Sequence, residues 1–268
     1  MDFTEEQIER YSRHLILQDV GIEGQQKIME GKVLIVGAGG LGSPVAMYLA
    51  AAGVGTIGLI DGDVVDRTNL QRQIIHFTGD LNRPKVESAK EKIHAVNPEI
   101  KVNIYRELFS PDNAFDIMAD YDFIVDGTDN FPTKFMVNDA CVMAKKPFSH
   151  GGILRFEGQT MTYIPGHACY RCLFGSPPPP NAVPSCSQAG VLGSIAGMLG
   201  TIQATEVLKF LVDKGDLLTD RMLIFDALKM SFREVRFQPS PGCNICGDHP
   251  TIRSLQMEEM PACDLNQK

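Results

Sequence analysis

The feature that most constrains this chain is a short apolar run that ends in a string of glycines. Lys32–Val36 reads as a buried strand, it leads into Gly37-Ala38-Gly39-Gly40-Leu41-Gly42, and a helical stretch begins at Ser43. Glycines at this spacing allow a tight strand-to-helix turn and let backbone N–H groups approach a phosphate at a helix N-terminus. A second strand, Thr56–Ile60, leads to Asp61, which is placed to accept from a ribose hydroxyl. A nicotinamide dinucleotide would satisfy this much. The residues that follow suit a triphosphate and its Mg2+ better: Asn69-Leu70-Gln71-Arg72, then Lys85, then Asp126-Gly127-Thr128-Asp129-Asn130.

The flanking sequence alternates between strand and helix patterns. Glu5–Met29 predicts a helical segment that carries Arg10, Arg13 and His14. Pro44–Ala52 is the first crossover helix, closed by Gly53. Pro84 opens another, in which Val86, Ala89, Ile93 and Val96 recur at helical spacing until Asn97-Pro98 stops it. Val102–Tyr105 and Phe123–Val125 read as strands, and Ser110-Pro111-Asp112 predicts a helix start between them. Such alternation, continued to about Phe148, predicts a mostly parallel sheet with right-handed crossovers.

The texture then changes. Arg155–Tyr163 alternates around Gly158, which predicts antiparallel strands, and Met222–Phe225 and Arg233–Phe237 extend the same sheet. Pro177–Pro180 makes an extended loop. The expected fold class is therefore α/β, a Rossmann-like mixed sheet whose mostly parallel N-terminal part is continued by antiparallel strands. The tail beyond Gly247 has little periodicity and reads as peripheral.

A formal net charge of −8 over 268 residues argues against a nucleic-acid partner. The start, Met1-Asp2-Phe3-Thr4-Glu5-Glu6, has neither the basic nor the apolar region of a secretory signal. Ala189–Val212 is the longest apolar stretch, but Gln203, Glu206 and Lys209 interrupt it. A membrane span of about 20 apolar residues would not normally carry two charges, so the stretch reads as a buried helix. The expected compartment is the cytoplasm, away from any membrane.

Seven cysteines is an odd count that fits a fully paired secreted framework poorly. Cys169-x-x-Cys172 and Cys243-x-x-Cys246 form two matched pairs, and together they supply the four thiolates of a structural Zn2+ shell. Redox disulfides or inert thiols are the other readings of the same spacing. Cys186 stands apart, just before the apolar helix, where the helix field lowers a thiol's pKa. It is either a nucleophile that takes an acyl group or sulfur, or a passive loop thiol. Cys141, in an apolar helical run, and Cys263 read as having no chemistry.

There is no Gly-Lys-[Ser/Thr] loop, so charge compensation for a triphosphate must come from outside the glycine turn. Arg72 and Lys85 are close in sequence to the right sheet edge, although each could be an ordinary solvated cation. Asp129 follows a buried strand at the carboxyl end, where open α/β sheets bind ligands, and could hold Mg2+. The alternative for Asp129 is the N-cap of a helix starting at Phe131. Asp126 reads as structural.

At this point the chain resembles the ThiF/MoeB/HesA adenylyltransferases, bacterial relatives of ubiquitin-activating enzymes. The matching stretches are Arg10-Tyr11-Ser12-Arg13-His14, Gly37–Gly42, Asp61-Gly62-Asp63, Asn69-Leu70-Gln71-Arg72, Pro84-Lys85 and Thr128-Asp129-Asn130. They continue through Glu157-Gly158-Gln159, Cys169-Tyr170-Arg171-Cys172, Cys186 to Gly193, and Pro241-Gly242-Cys243 to Cys246, nearly the whole chain. Pro177–Pro180 with Val183-Pro184-Ser185-Cys186 looks most like the MoeB branch. Gly247-Asp248-His249-Pro250-Thr251-Ile252 is similar to the linker of forms fused to a rhodanese domain, yet here the chain stops at Lys268.

The resemblance implies an ATP site built from Gly37, Gly39, Gly40, Gly42, Asp61, Asp63, Asn69, Arg72, Lys85, Asp129 and Asn130. It implies that Arg13 reaches across a homodimer to the phosphates of the other subunit, and that Cys186 occupies the position of a sulfur-transfer or thioester cysteine. Catalysis would then rest on Arg13, Arg72, Lys85, Asp129 and Cys186, with ATP, Mg2+ and Zn2+ bound. The implied partner is a small ubiquitin-like sulfur carrier ending in Gly-Gly, with a cysteine desulfurase or rhodanese as sulfur donor. The implied organisation is one domain over 1–246, with 29–150 binding nucleotide, 151–246 binding carrier and zinc, and 247–268 as a tail. The rivals are an NAD-dependent oxidoreductase on the same glycine turn, a scaffold that has lost turnover, and a nucleotide sensor.

Overall fold

The computed structural model describes residues 3–179 and 189–257. Its N-terminal segment is three helices rather than the single one expected: α1 (Glu5–Arg10), α2 (Ser12–Leu15) and α3 (Gly21–Glu30). Packing overrides the helical pattern at Tyr11, which is 3% exposed and accepts a 2.8 Å hydrogen bond on its hydroxyl from Asn97 Nδ2. Its ring fills the space beside Gly53, where an added Cβ would lie 2.5 Å from the Tyr11 hydroxyl.

After these helices the alternation read from the sequence is present. β1 (Lys32–Val36) is followed by α4 (Gly42–Ala52), β2 (Thr56–Ile60), α5 (Lys85–Val96), β3 (Lys101–Tyr105), α6 (Ala114–Met118), β4 (Phe123–Asp126) and α7 (Phe131–Met143). The helix expected to start at Ser110-Pro111-Asp112 starts at Ala114 instead. The Asn113 side chain turns back to accept from Ser110 N–H at 2.9 Å, which commits 110–113 to a turn.

β5 (Phe148–Leu154) and β6 (Glu157–Tyr163) form an antiparallel pair, as the alternation predicts, and the chain reverses at Arg155-Phe156. Gly158 lies inside β6, where an added Cβ would come within 2.5 Å of the Leu199 side chain. α8 (Tyr170–Phe174) precedes the proline segment, and α9 (Gly193–Val212) follows it, starting later than the expected Ala189. β7 (Arg221–Asp226) and β8 (Ser231–Arg236) complete one eight-stranded sheet of order β3-β2-β1-β4-β5-β6-β7-β8. Pairing is parallel from β3 to β5 and antiparallel from β5 to β8.

The sheet is covered on both faces, which is why β1 reads as a continuous apolar run. Val33 and Ile35 pack with Val45, Leu49, Val86, Ile93 and Val207 on one side. Leu34 and Val36, one residue out of phase, pack with Phe135, Met136 and Tyr170 on the other. α9 is the one helix among the described residues that is long and apolar enough to cross a membrane; it packs on α3, α4, β5 and β6, with half of its most apolar window buried. The tail is less peripheral than expected, since Ile252 and Leu255 pack against the second cluster.

Candidate active site

Strand order reverses between β1 and β4, and a cleft of about 230 Å³ opens at the carboxyl ends of β1, β2 and β4. The glycine turn forms its floor. Gly37 has φ +94°, and a Cβ on Gly42 would lie 1.9 Å from the Gly37 carbonyl oxygen, so the turn closes only with glycine at both places. Among the described residues, the N–H groups of Gly39 and Gly40 donate to no protein acceptor, leaving an anion-binding edge beside α4.

Asp61 holds this turn in place. Its carboxylate accepts from Ala38 N–H and from Asp63 N–H, each at 2.9 Å. Lys85, at the start of α5 and 6% exposed, places Nζ 2.7 Å from Asp63 Oδ2 and 3.9 Å from Asp61 Oδ1. Arg72 is half-buried; its stem passes Gly40, and its guanidinium donates to the Thr68 carbonyl at 3.1 Å. Asp129 is exposed, lines the cleft and makes no hydrogen bond or ion pair among the described residues. The α7 N-cap is Asn130, whose side chain accepts from Thr133 N–H at 2.9 Å, so the capping reading of Asp129 does not apply.

The cleft thus gathers Gly37, Gly39, Gly40, Asp61, Asp63, Arg72, Lys85, Asp129 and Asn130. Asn69 does not line it. Its side chain accepts from Asp66 N–H at 3.3 Å and its carbonyl from Arg72 N–H at 3.0 Å, so it shapes the turn that presents Arg72. Arg13 lies exposed on α2, outside the cleft of its own chain. Cys186 falls outside the described residues.

Several lining residues were missed by sequence reasoning. Gln73 follows Arg72 directly, is 4% exposed, and lies against Gly39; the second Gln of Gln71-Arg72-Gln73 was the available signal. Leu108 and Phe109 give the cleft an apolar wall, and Met257 reaches it from the tail. No local spacing announces these three.

Behind the cleft, Asp126 is fully buried and anchors the loop that carries Asp129. Its Oδ1 accepts from Thr128 N–H and Oγ–H at 3.1 and 2.6 Å, while Oδ2 lies 3.1 Å from Lys134 Nζ and 2.9 Å from His150 Nδ1. Lys134 also donates to the Gly151 carbonyl. Burial alone would raise the Asp126 pKa, but Lys134 and His150 hold it well below the usual carboxylate range. Burial pushes His150 down, so Nδ1–H donates to a charged Asp126. The structural reading of Asp126 stands in that it does not line the cleft.

The four paired cysteines converge at the start of α8, whose N-cap is Cys169. The Sγ separations are 3.9 Å for Cys169–Cys172, 3.7 Å for Cys169–Cys243, 3.3 Å for Cys172–Cys246 and 3.4 Å for Cys169–Cys246. A Zn–S length of about 2.3 Å puts tetrahedral ligand sulfurs about 3.8 Å apart, so the set fits Zn2+. Ser240 N–H donates to Cys172 Sγ at 3.4 Å, and a Cβ on Gly247 would strike the Pro241 carbonyl at 2.4 Å, which keeps the second knuckle tight. None of the four is in a disulfide.

The ThiF family model matches residues 11–245. The chain is 45% identical over 260 residues to the SAMP-activating enzyme E1 of Haloferax volcanii, covering 97% of this chain and 96% of that one. It is 44% identical over 261 residues to the sulfur carrier protein adenylyltransferase of Thermus thermophilus, covering 95% and 96%. Among solved structures, E. coli MccB crystallised with ATP superposes with a TM-score of 0.75 at 26% identity, over 89% of this chain and 73% of that one.

Proposed function

Because the chain belongs to the ThiF family, we propose that it is an ATP-dependent adenylyltransferase acting on a small ubiquitin-like sulfur carrier with a C-terminal Gly-Gly. The observation that carries this reading is the convergence of Arg72, Lys85 and an unengaged Asp129 on the bare N–H groups of the glycine turn. A redox dinucleotide needs no such set of charges.

In this reading the carrier's terminal carboxylate attacks the α-phosphorus of ATP. A new O–P bond forms, the bond to the β-phosphate oxygen breaks, and pyrophosphate leaves with the electron pair. A chain-terminal carboxyl has a pKa of roughly 3.5, so the nucleophile is already ionised and no general base is needed. The protein's part is positioning and charge neutralisation. Arg72 and Lys85 would bind phosphates, helped by Arg13 from the second subunit of a homodimer. Asp129 would hold the Mg2+ that accompanies ATP, Asp61 and Asn130 would meet the nucleoside side, and Asn69 would support Arg72.

Cys169, Cys172, Cys243 and Cys246 would hold Zn2+, which ties the 240s knuckle to α8 and leaves no open coordination position for chemistry. Residues 29–150 would serve nucleotide binding and 151–246 the carrier and metal. The later thiocarboxylate step would use Cys186 or pass to another protein, with sulfur from a cysteine desulfurase or rhodanese. We place the enzyme in the cytoplasm. The reading is tested by ATP–pyrophosphate exchange with a panel of Gly-Gly-ended carriers: exchange should require a carrier and disappear in Asp129→Ala. Exchange that ignores the carrier would contradict it.

A further inference from the structure

His76 has no part in the mechanism above, yet it bridges two walls of the cleft. The imidazole is 3% exposed, with Nε2 2.9 Å from the Ala38 carbonyl in the glycine turn and Nδ1 2.9 Å from Ser88 Oγ on α5. A carbonyl only accepts, so Nε2 carries the proton. Burial and the nearby Lys85 keep the ring below its usual pKa against the pull of the Ala38 carbonyl, so at neutral pH Nδ1 accepts from the Ser88 hydroxyl.

The two ends of this bridge matter. Ala38 is the residue whose N–H Asp61 holds, so its peptide groups are fixed on both sides, by Asp61 at the N–H and by His76 at the carbonyl. The next two residues, Gly39 and Gly40, present the free N–H groups. At the other end, Ser88 stands on the first turn of α5, the helix that begins with Lys85. His76 therefore links the N–H edge to the element that carries the Lys85 ammonium.

We propose that His76 is a positioning residue for the nucleotide phosphates, setting the separation between the glycine-turn N–H groups and Lys85. The proposal rests on the reading that the cleft takes ATP. It predicts that removing the bridge weakens ATP binding more than it weakens the fold, and that a side chain able to donate to Ala38 restores it.

The test is titration calorimetry of ATP with Mg2+, without carrier, alongside melting temperature, for the full chain and for His76→Phe, His76→Gln and Ser88→Ala. His76→Phe should weaken ATP binding about tenfold, the scale of one lost buried hydrogen bond. His76→Gln, still a neutral donor, should recover most of that loss, and Ser88→Ala should fall between. Unchanged ATP affinity in His76→Phe, or a Gln variant no better than Phe, would overturn the proposal. If Phe does not fold, a Ser88→Ala variant that binds ATP like the parent would overturn it. A parent chain that binds ATP but supports no carrier-dependent exchange contradicts the adenylyltransferase reading and leaves the His76 result standing; one that binds no ATP overturns both.

Discussion

Lys85 Nζ sits 2.7 Å from Asp63 Oδ2, and the two side chains differ sharply in exposure: 7% for the lysine and 67% for the aspartate. The ammonium is held at the cleft by a carboxylate that water largely screens, so phosphate oxygens can compete for it. Lys85→Ala should lower kcat/KM for ATP by about 100- to 1000-fold, the usual effect of removing one charge-stabilising contact. Asp63→Asn should change it by less than about threefold, because the carboxylate end of the pair is exposed and water screens it. Exchange kinetics on both variants check the contrast.

The glycine turn makes a steric prediction. Gly42→Ala places a methyl 1.9 Å from the Gly37 carbonyl and should abolish ATP binding with a large drop in melting temperature. Gly39→Ala meets only the end of Gln73, at 3.5 Å, and should fold normally. Melting curves with and without ATP separate the two.

Metal content follows from the cysteine geometry. The purified protein should hold about one zinc per chain by elemental analysis. Cys172→Ser should lose it and melt at lower temperature, and a chelator strong enough to strip the wild type should produce the same shift.

Acid stability should fall in two stages. His76 and His150 are buried and pushed below the usual imidazole pKa, mainly by desolvation. The unfolded chain therefore takes up their protons first. Their contribution is complete above about pH 6.5 and declines as pH falls below it. Asp80 comes next: burial alone would raise it, but the Lys92 ammonium and the Phe77 N–H hold it at about 2. Its contribution is present above about pH 4 and is lost as pH falls towards 2. Melting temperature against pH should show both declines, and Asp80→Asn should make the lower one shallower, leaving the share that Asp126 contributes.

What the sequence revealed was whatever depends on short spacing. The glycine turn, the strand-end acids and the two Cys-x-x-Cys pairs are each set within a few residues; the first two share one cleft, and the four cysteines lie together. What it concealed was assembled from distant parts. Asp126, Lys134 and His150 come from β4, α7 and β5, and none carries a local mark of the others. Tyr11 breaks a helical pattern only because Asn97 and Gly53 accept it. From sequence Asp129 reads as a plausible cap for α7, but the cap is Asn130, whose side chain accepts from Thr133 N–H, and nothing in the local spacing tells the two apart.

The central claim is that a carrier's terminal carboxylate attacks the α-phosphorus of ATP in the Arg72–Lys85–Asp129 cleft. It is tested most directly with a Gly-Gly-ended carrier labelled with heavy oxygen in its terminal carboxylate, incubated with enzyme and ATP, and released with hydroxylamine. The account predicts heavy oxygen in the AMP, because the bridging oxygen of the acyl-adenylate comes from the carboxylate and leaves with the phosphorus. AMP free of label, formed at the same rate with or without carrier, would contradict it.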